Sequence, residues 1–242
     1  MLLGGQRAEK PSTLVEPAAA LELVGPGRRF VSRGGDKLDA ALTRFAVPVP
    51  ERLCLDAGAS TGGFTDCLLR RGAGHVVAID VGYGQLAWSL RGDERVTVME
   101  RTNVRELTPA LLPYAPGLVV ADLSFISLRL VLPALAGVVE PRADLVLLVK
   151  PQFEACRTEV GRGGVVRDPE IWRRAISGVV DAARELELGV RDVMASPAPG
   201  PAGNVEFLLH LTAGDEVRPD GHAWPDLLEA AIAEGHRVGG SR

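Results

Sequence analysis

Arg52-Leu53-Cys54-Leu55-Asp56-Ala57-Gly58-Ala59-Ser60-Thr61-Gly62-Gly63-Phe64 reads as a short apolar strand, then a loop of small residues, then a helix. Residues 52–56 form the strand pattern and residues 63–71 the helix pattern. Small loop residues let the backbone approach a ligand closely at a helix N-terminus, where unpaired N–H groups point outward. The spacing is G-x-x-x-G-G. It does not meet the G-x-G-x-x-G pattern of a dinucleotide cradle, so a pyrophosphate ligand is disfavoured.

The same alternation continues along the chain. Strand-like runs follow at 75–81, 96–101, 118–123, 144–150, 190–195 and 205–211. Several are continuously apolar, as strands buried on both faces are. Helix patterns lie between them: 127–138, with Leu128, Val131, Leu132 and Leu135 on one face, and a long helix that opens at Asp168-Pro169-Glu170 and runs to about residue 188. Its Asp cap, first-position Pro and closing Gly189 are helix start and stop signals. Strand–helix alternation predicts an α/β fold with a doubly wound sheet. Residues 196–204 are rich in Pro and Gly and hold no crossover helix, so the last strand is expected to enter antiparallel. Seven strands ending in a hairpin give the Rossmann-like methyltransferase pattern. The tail from Gly235 to Arg242 reads as frayed.

Composition narrows the possible functions. The chain has 242 residues, 46% hydrophobic and 24% charged, as in ordinary globular proteins. Its apolar runs, such as 117–121 and 145–149, fall far short of the roughly 20 residues a membrane helix needs. The N-terminus has no apolar stretch of signal-peptide length. Cys54, Cys67 and Cys156 form no CxxC pair, which argues for a reducing, cytoplasmic setting without disulfides or a metal site. A net charge of −4 gives no bulk attraction to nucleic acid, so RNA contact would need a local basic patch. Only Lys10, Lys37 and Lys150 are lysines; the other 24 basic residues are arginines. Arg is effectively never deprotonated, whereas Lys can give up its proton and serve as a base.

The glycine loop opens with Asp56, which suits a ligand bearing an amino group, such as the methionine end of S-adenosylmethionine. Gly58, Ser60, Thr61, Gly62, Gly63 and Phe64 would line its site. Asp80, 22 positions after Gly58, ends the next strand and is placed to take both ribose hydroxyls. Asn103, after the third strand, could meet an adenine edge or simply cap a loop. Four further ionisable residues stand at element ends: Lys37 near a helix start, Asp122 and Lys150 after their strands, and Glu206 at the start of the last strand. Strand ends of such a sheet converge on the ligand crevice.

The segments VSRGGDKL (31–38), LDAGASTGGFTDCLL (55–69), ERTNVREL (100–107), VADLSFISL (120–128), LVKPQFE (148–154), VGRGGVVRDP (160–169) and GNVEFLL (203–209) together resemble the TlyA family of ribosomal RNA 2′-O-methyltransferases, which share the FtsJ/RrmJ methyltransferase fold. The resemblance implies S-adenosylmethionine as cofactor, cytidine ribose in ribosomal RNA as substrate, and ribosomal subunits as partners. It assigns the family's Lys-Asp-Lys-Glu tetrad to Lys37, Asp122, Lys150 and Glu206, with Lys150 as the base and Asp122 also beside the cofactor. It also implies an N-terminal S4-type RNA-binding domain. Residues 1–29 resemble only the end of that domain plus a linker, as a naturally short chain, a trimmed one or a start assigned too far downstream would give, the last being the favoured expectation, and residues 30–242 form the methyltransferase domain. Without an S4 module, RNA contacts fall to Arg28, Arg29, Arg33, Arg162 and Arg167, with Arg173 and Arg174 equally readable as solvated surface. The competing expectations are a non-catalytic RNA-binding module, a small-molecule methyltransferase and a membrane-active hemolysin, the name some members carry. A pore-former would need a membrane-spanning or strongly amphipathic segment, and the sequence offers neither.

Overall fold

The computed structural model of the chain describes residues 29–214 and 224–240, together with the backbone of three two-residue strands, Leu2–Leu3, Gln6–Arg7 and Leu21–Glu22. Those three strands form a small antiparallel sheet with Leu2–Leu3 at its centre.

The main sheet has seven strands: β1 (Leu53–Ala57), β2 (His75–Asp80), β3 (Val96–Glu100), β4 (Leu118–Ala121), β5 (Asp144–Val149), β6 (Leu188–Ala195) and β7 (Phe207–Ala213). Their order across the sheet is β3-β2-β1-β4-β5-β7-β6. β1 to β5 pair in parallel, and β7 is antiparallel to both neighbours, as the short 196–204 connection predicts.

Both faces of the sheet are apolar, because successive strand residues point to opposite sides. On β5, Leu145, Leu147 and Val149 join one core, and Val146 and Leu148 join the other. The first core packs on α4 (Leu132–Ala136), α6 (Pro169–Glu185) and α7 (Trp224–Gly240) through Leu132, Leu135, Ile176, Val180, Leu228 and Ile232. The second packs on α1 (Arg33–Arg44) and α2 (Gly63–Arg70) through Leu38, Leu42, Phe64 and Leu68. Short helices α3 (Trp88–Arg91) and α5 (Pro151–Glu154) follow β2 and β5.

Four local readings are corrected by the structure. The 127–138 helix is two pieces, a 3₁₀ turn at Leu128–Leu130 and then α4, with Pro133 in the first turn of α4, where it needs no N–H partner. The long helix starts on its Asp168 cap as expected but stops at Glu185. The left-handed residue after it is Glu187 at φ 58°, and Gly189 lies inside β6. Glu206 stands just before β7 rather than in it. The tail from Gly235 reads as frayed because chain ends lose order, yet α7 runs through Gly235 to Gly240. Gly235 is buried against Phe207, and a Cβ there would lie 3.1 Å from that ring.

Strand register fixes where the site falls. Ala57 of β1 pairs with Ile79 of β2 and with Ala121 of β4, so Gly58, Asp80 and Asp122 emerge side by side. Val149 of β5 pairs with Phe207 of β7. Because β7 runs antiparallel, it is its entry, Glu206, that reaches the same edge as Lys150. The helix N-termini of α1 and α2 meet there as well. Ser32 caps α1 by accepting from the Gly34 N–H at 3.3 Å. A Cβ on Gly63 would lie 2.1 Å from the Ser32 Oγ and 2.9 Å from the Gly35 backbone N, so only glycine lets the two helices come this close. Gly63→Ala should destabilise the fold by about 1–3 kcal/mol in urea unfolding, as overpacking against backbone does. Gly92→Ala, whose Cβ would meet nothing nearer than 3.8 Å, should leave the midpoint nearly unchanged.

Candidate active site

The loop after β1 is pinned from both sides. Gly58 and Ala59 donate to the Ile79 carbonyl at 2.8 and 3.0 Å, and Asp122 donates its N–H to the Ala57 carbonyl at 3.1 Å. Gly58 sits at φ 85°, where a Cβ would lie 2.8 Å from the Asp122 carbonyl oxygen. Both the left-handed backbone and the close approach require glycine. The loop and the Asp122 strand end are therefore one rigid unit.

A pocket of about 280 Å³ opens over this unit. One wall is the loop: Gly58, Ala59, Ser60, Thr61, Gly63 and Phe64. The other holds Lys37, Asp122, Lys150 and Glu206, so all four tetrad positions share one cavity. They are paired. Lys37 Nζ donates to Glu206 Oε2 at 2.5 Å, with side chains 9% and 1% exposed. Lys150 Nζ lies 2.6 Å from Asp122 Oδ1 and donates to Ser124 Oγ at 2.9 Å, with the Lys150 and Asp122 side chains 11% and 27% exposed. One pair is sealed into the protein; the other faces the opening. Desolvation of a charge costs several kcal/mol unless a partner offsets it, which explains why the four come as two matched pairs.

The remaining predicted cofactor positions divide. Gly62 shapes the loop rather than lining it: it caps α2 at φ 97°, and a Cβ there would run into Leu90 and Leu86. Asp80 accepts from the Ser60 N–H at 2.8 Å and the Gly82 N–H at 2.7 Å. With Ser60, Gln85, Leu86 and Glu100 it lines a second, narrow cleft of about 10 Å³ beside the first. A carboxylate has about four acceptor positions, so Asp80 retains capacity for two hydroxyls. Asp56 lies beneath the pocket, fully buried, instead of lining it. Its Oδ2 accepts from Thr65 Oγ1 at 2.6 Å, and its Oδ1 is buried without a partner. Burial pushes its carboxyl up to about 7, against the Thr65 hydrogen bond. Asn103 lines neither cavity; it caps a 3₁₀ turn by accepting from the Arg105 N–H at 3.1 Å.

Among the candidate RNA arginines, Arg33 lines the pocket. Arg29 pairs with Asp39 at 2.6 Å and lies over the Phe30 ring. Arg162 and Arg167 flank a loop whose Val166 N–H and Gly164 carbonyl are both held by the Asn204 side chain, two residues before Glu206. Arg173 and Arg174 are ion-paired, the first with Glu170 and Glu229, the second with Glu159. Arg28 lies outside the described residues.

Three residues that the sequence does not single out belong to this region. Ser124 holds Lys150. Phe125, at φ 66°, is 91% exposed and stands 5.2 Å, ring to ring, from Phe153. Glu154, on α5, accepts from Ser127 Oγ at 2.5 Å and from the Leu128 N–H at 2.7 Å, tying the loop after β4 to the helix after β5. A serine two residues and an aromatic three residues past a strand-end acid is the signal that could have found the first two. Among the described residues, no group of three His, Cys, Asp or Glu is placed to hold a metal ion, and no helix is long and apolar enough to cross a membrane.

Residues 30–213 match the family described as FtsJ-like methyltransferase. The chain is 53% identical over 234 residues to the 16S/23S rRNA (cytidine-2′-O)-methyltransferase TlyA of Mycobacterium tuberculosis, covering 96% of this chain and 87% of that protein. It is 41% identical over 186 residues to Hemolysin A of Brachyspira hyodysenteriae, covering 76% of this chain and 77% of that one. A solved Streptococcus thermophilus structure superposes with a TM-score of 0.86 at 41% identity, over 97% of this chain and 84% of that chain.

The Asp56 carboxyl has a stability consequence with a definite sign. Its folded value of about 7 lies above the ordinary 3.8, so the native state binds more protons than the unfolded state in that interval. Stability should therefore fall as pH rises from about 4 to about 7 and then level off. Urea unfolding at pH 5 and pH 7.5 checks this: Asp56→Asn, which keeps an acceptor for Thr65, should lose most of the fall seen in the wild-type chain.

Proposed function

The chain belongs to the FtsJ-like methyltransferase family, and we propose that it transfers the methyl group of S-adenosylmethionine to the 2′-hydroxyl of a cytidine ribose in ribosomal RNA, in the cytoplasm. The observation that carries this reading is the pocket with a glycine loop on one wall and two lysine–carboxylate pairs on the other.

The residues present fit the cofactor. Gly58 lets the loop lie flush against the Asp122 strand end at the pocket wall, Asp80 has acceptor capacity for ribose hydroxyls, and the buried Asp56 Oδ1 is left without a partner beneath the loop. Gly58, Ser60, Thr61, Gly63 and Phe64 would hold the methionine part and Asp80 the ribose. S-adenosylmethionine, when bound, supplies an electrophilic methyl group.

The chain's own task is to make a ribose hydroxyl nucleophilic and aim it. A 2′-OH is a weak nucleophile with its proton on. Lys150, desolvated once substrate covers the opening, takes that proton on Nζ, and Asp122 stabilises the ammonium that forms. Lys37 and Glu206 hold opposite charges in fixed places at the back of the pocket and help seat the ribose. The Asp122–Ala57 hydrogen bond keeps the base in register with the cofactor loop, which is the positioning that a displacement reaction needs.

The opening suits a nucleic acid. Arg33 stands at the rim for a phosphate, and Arg29, Arg162 and Arg167 extend the candidate contacts. Phe125 offers an unshielded ring on which a base can stack. A small-molecule methyltransferase would instead enclose its substrate in an apolar pocket.

The test is transfer of labelled methyl from S-adenosylmethionine to ribosomal RNA followed by alkaline hydrolysis. A 2′-O-methyl group blocks cleavage at its own phosphodiester, so the label should appear in alkali-resistant dinucleotides with cytidine first. Label on a base, or no label, would contradict the reading. Asp80→Ala should weaken S-adenosylmethionine binding by about 1.5–3 kcal/mol, measured by calorimetry, through loss of charge-assisted hydrogen bonds. Unchanged affinity would remove Asp80 from the site.

A further inference from the structure

Two acceptors hold the Lys150 ammonium, which also lies 5.9 Å from the centre of the Phe153 ring, and only one of the acceptors is a charge. A lysine ammonium has three N–H donors on a compact head carried by a flexible stem. Asp122 Oδ1 takes one at 2.6 Å and Ser124 Oγ a second at 2.9 Å. Asp122 alone would leave the head free to swivel about that single contact, and its partial exposure lets water compete for it. A second acceptor removes that freedom and leaves one tetrahedral position on the nitrogen.

The Ser124 hydroxyl is itself anchored. It lies on the loop between Asp122 and the 3₁₀ turn at Leu128–Leu130. The far end of that loop is clamped by the Glu154 carboxylate, which accepts from Ser127 Oγ and the Leu128 N–H. Glu154 sits four residues after Lys150, on the helix that Lys150 opens. The element that presents the lysine therefore also grips the loop that presents its serine. Ser124, Asp122 and Lys150 all line the same pocket.

We propose that Ser124 is the positioning residue for Lys150: together with Asp122 it occupies two of the three ammonium positions and turns the third toward the ribose hydroxyl. The same arrangement serves after the proton is lost. The neutral amine keeps its two hydrogens on Asp122 and Ser124, and its lone pair occupies the third position. This inference rests on Lys150 acting as the base, and its test separates the two.

One arm measures single-turnover methyl transfer to ribosomal RNA. Ser124→Ala should lower the rate about 10- to 100-fold, as loss of alignment does, with dissociation constants for S-adenosylmethionine and RNA changed by no more than about twofold. Ser124→Thr, which keeps the hydroxyl, should restore most of the rate. A slow Thr variant, or an Ala variant as fast as wild type, overturns the proposal. The other arm does not depend on activity. The sequence has three lysines, so ¹³Cε-lysine NMR yields few signals, assigned by Lys→Arg variants. The order parameter of the Lys150 Cε should drop in Ser124→Ala, while that of Lys37, paired to Glu206, should not. An unchanged Lys150 overturns the positioning role; a drop without methyl transfer by the wild-type chain supports that role and faults the assigned activity instead.

Discussion

The Lys37–Glu206 ion pair joins residues 169 positions apart, almost wholly out of water. Either charge left alone there would carry a desolvation cost of several kcal/mol, so neither partner is tolerable until both α1 and β7 are docked. That requirement ties the N-terminal helix to the last strand of the sheet. It explains why Gly63 and Gly35 must be bare, since α1 can reach Glu206 only by lying tight against α2 and Phe30. It also gives the antiparallel strand a function. A parallel β7 would deliver its end to the crevice; the antiparallel one delivers its entry, where Glu206 stands opposite Lys150.

The second pair is of a different kind. Lys150 and Asp122 face the opening, and Asp122 is bound through its backbone to the strand that precedes the glycine loop. The first pair is held almost wholly out of water, whereas the Asp122 carboxylate of the second is 27% exposed at the pocket opening. Beneath both, Asp56 adds a carboxyl that burial holds near neutrality.

Much of this was legible in the sequence because strand ends are. Asp80, Asp122 and Lys150 each terminate an apolar run, and the ends of such runs meet in space whatever the loops do. The antiparallel last strand was legible from the missing crossover helix. Asp56 lies under the pocket and not in its lining, a difference of one position in a strand that no sequence pattern resolves. Asn103 offered two readings, and the structure shows the cap. Ser124 and Glu154 were invisible because their partners lie 26 or 27 residues away and follow from the geometry of neighbouring strand exits, not from any local pattern. The helical tail was missed for a related reason. Gly235 looks like a breaker until Phe207, far earlier in the chain, occupies the space a side chain would take.

The central claim is that Lys150 acts by giving up and taking a proton, and Lys150→Arg tests it most directly. Arginine keeps the positive charge and the reach to Asp122 but does not readily deprotonate. Single-turnover methyl transfer to ribosomal RNA, at saturating S-adenosylmethionine, should be slowed about 10²- to 10⁴-fold in Lys150→Arg and by a similar factor in Lys150→Ala, since both remove the base. A Lys150→Arg variant near the wild-type rate, with Lys150→Ala inactive, would show that only a fixed positive charge is needed there and would contradict the account.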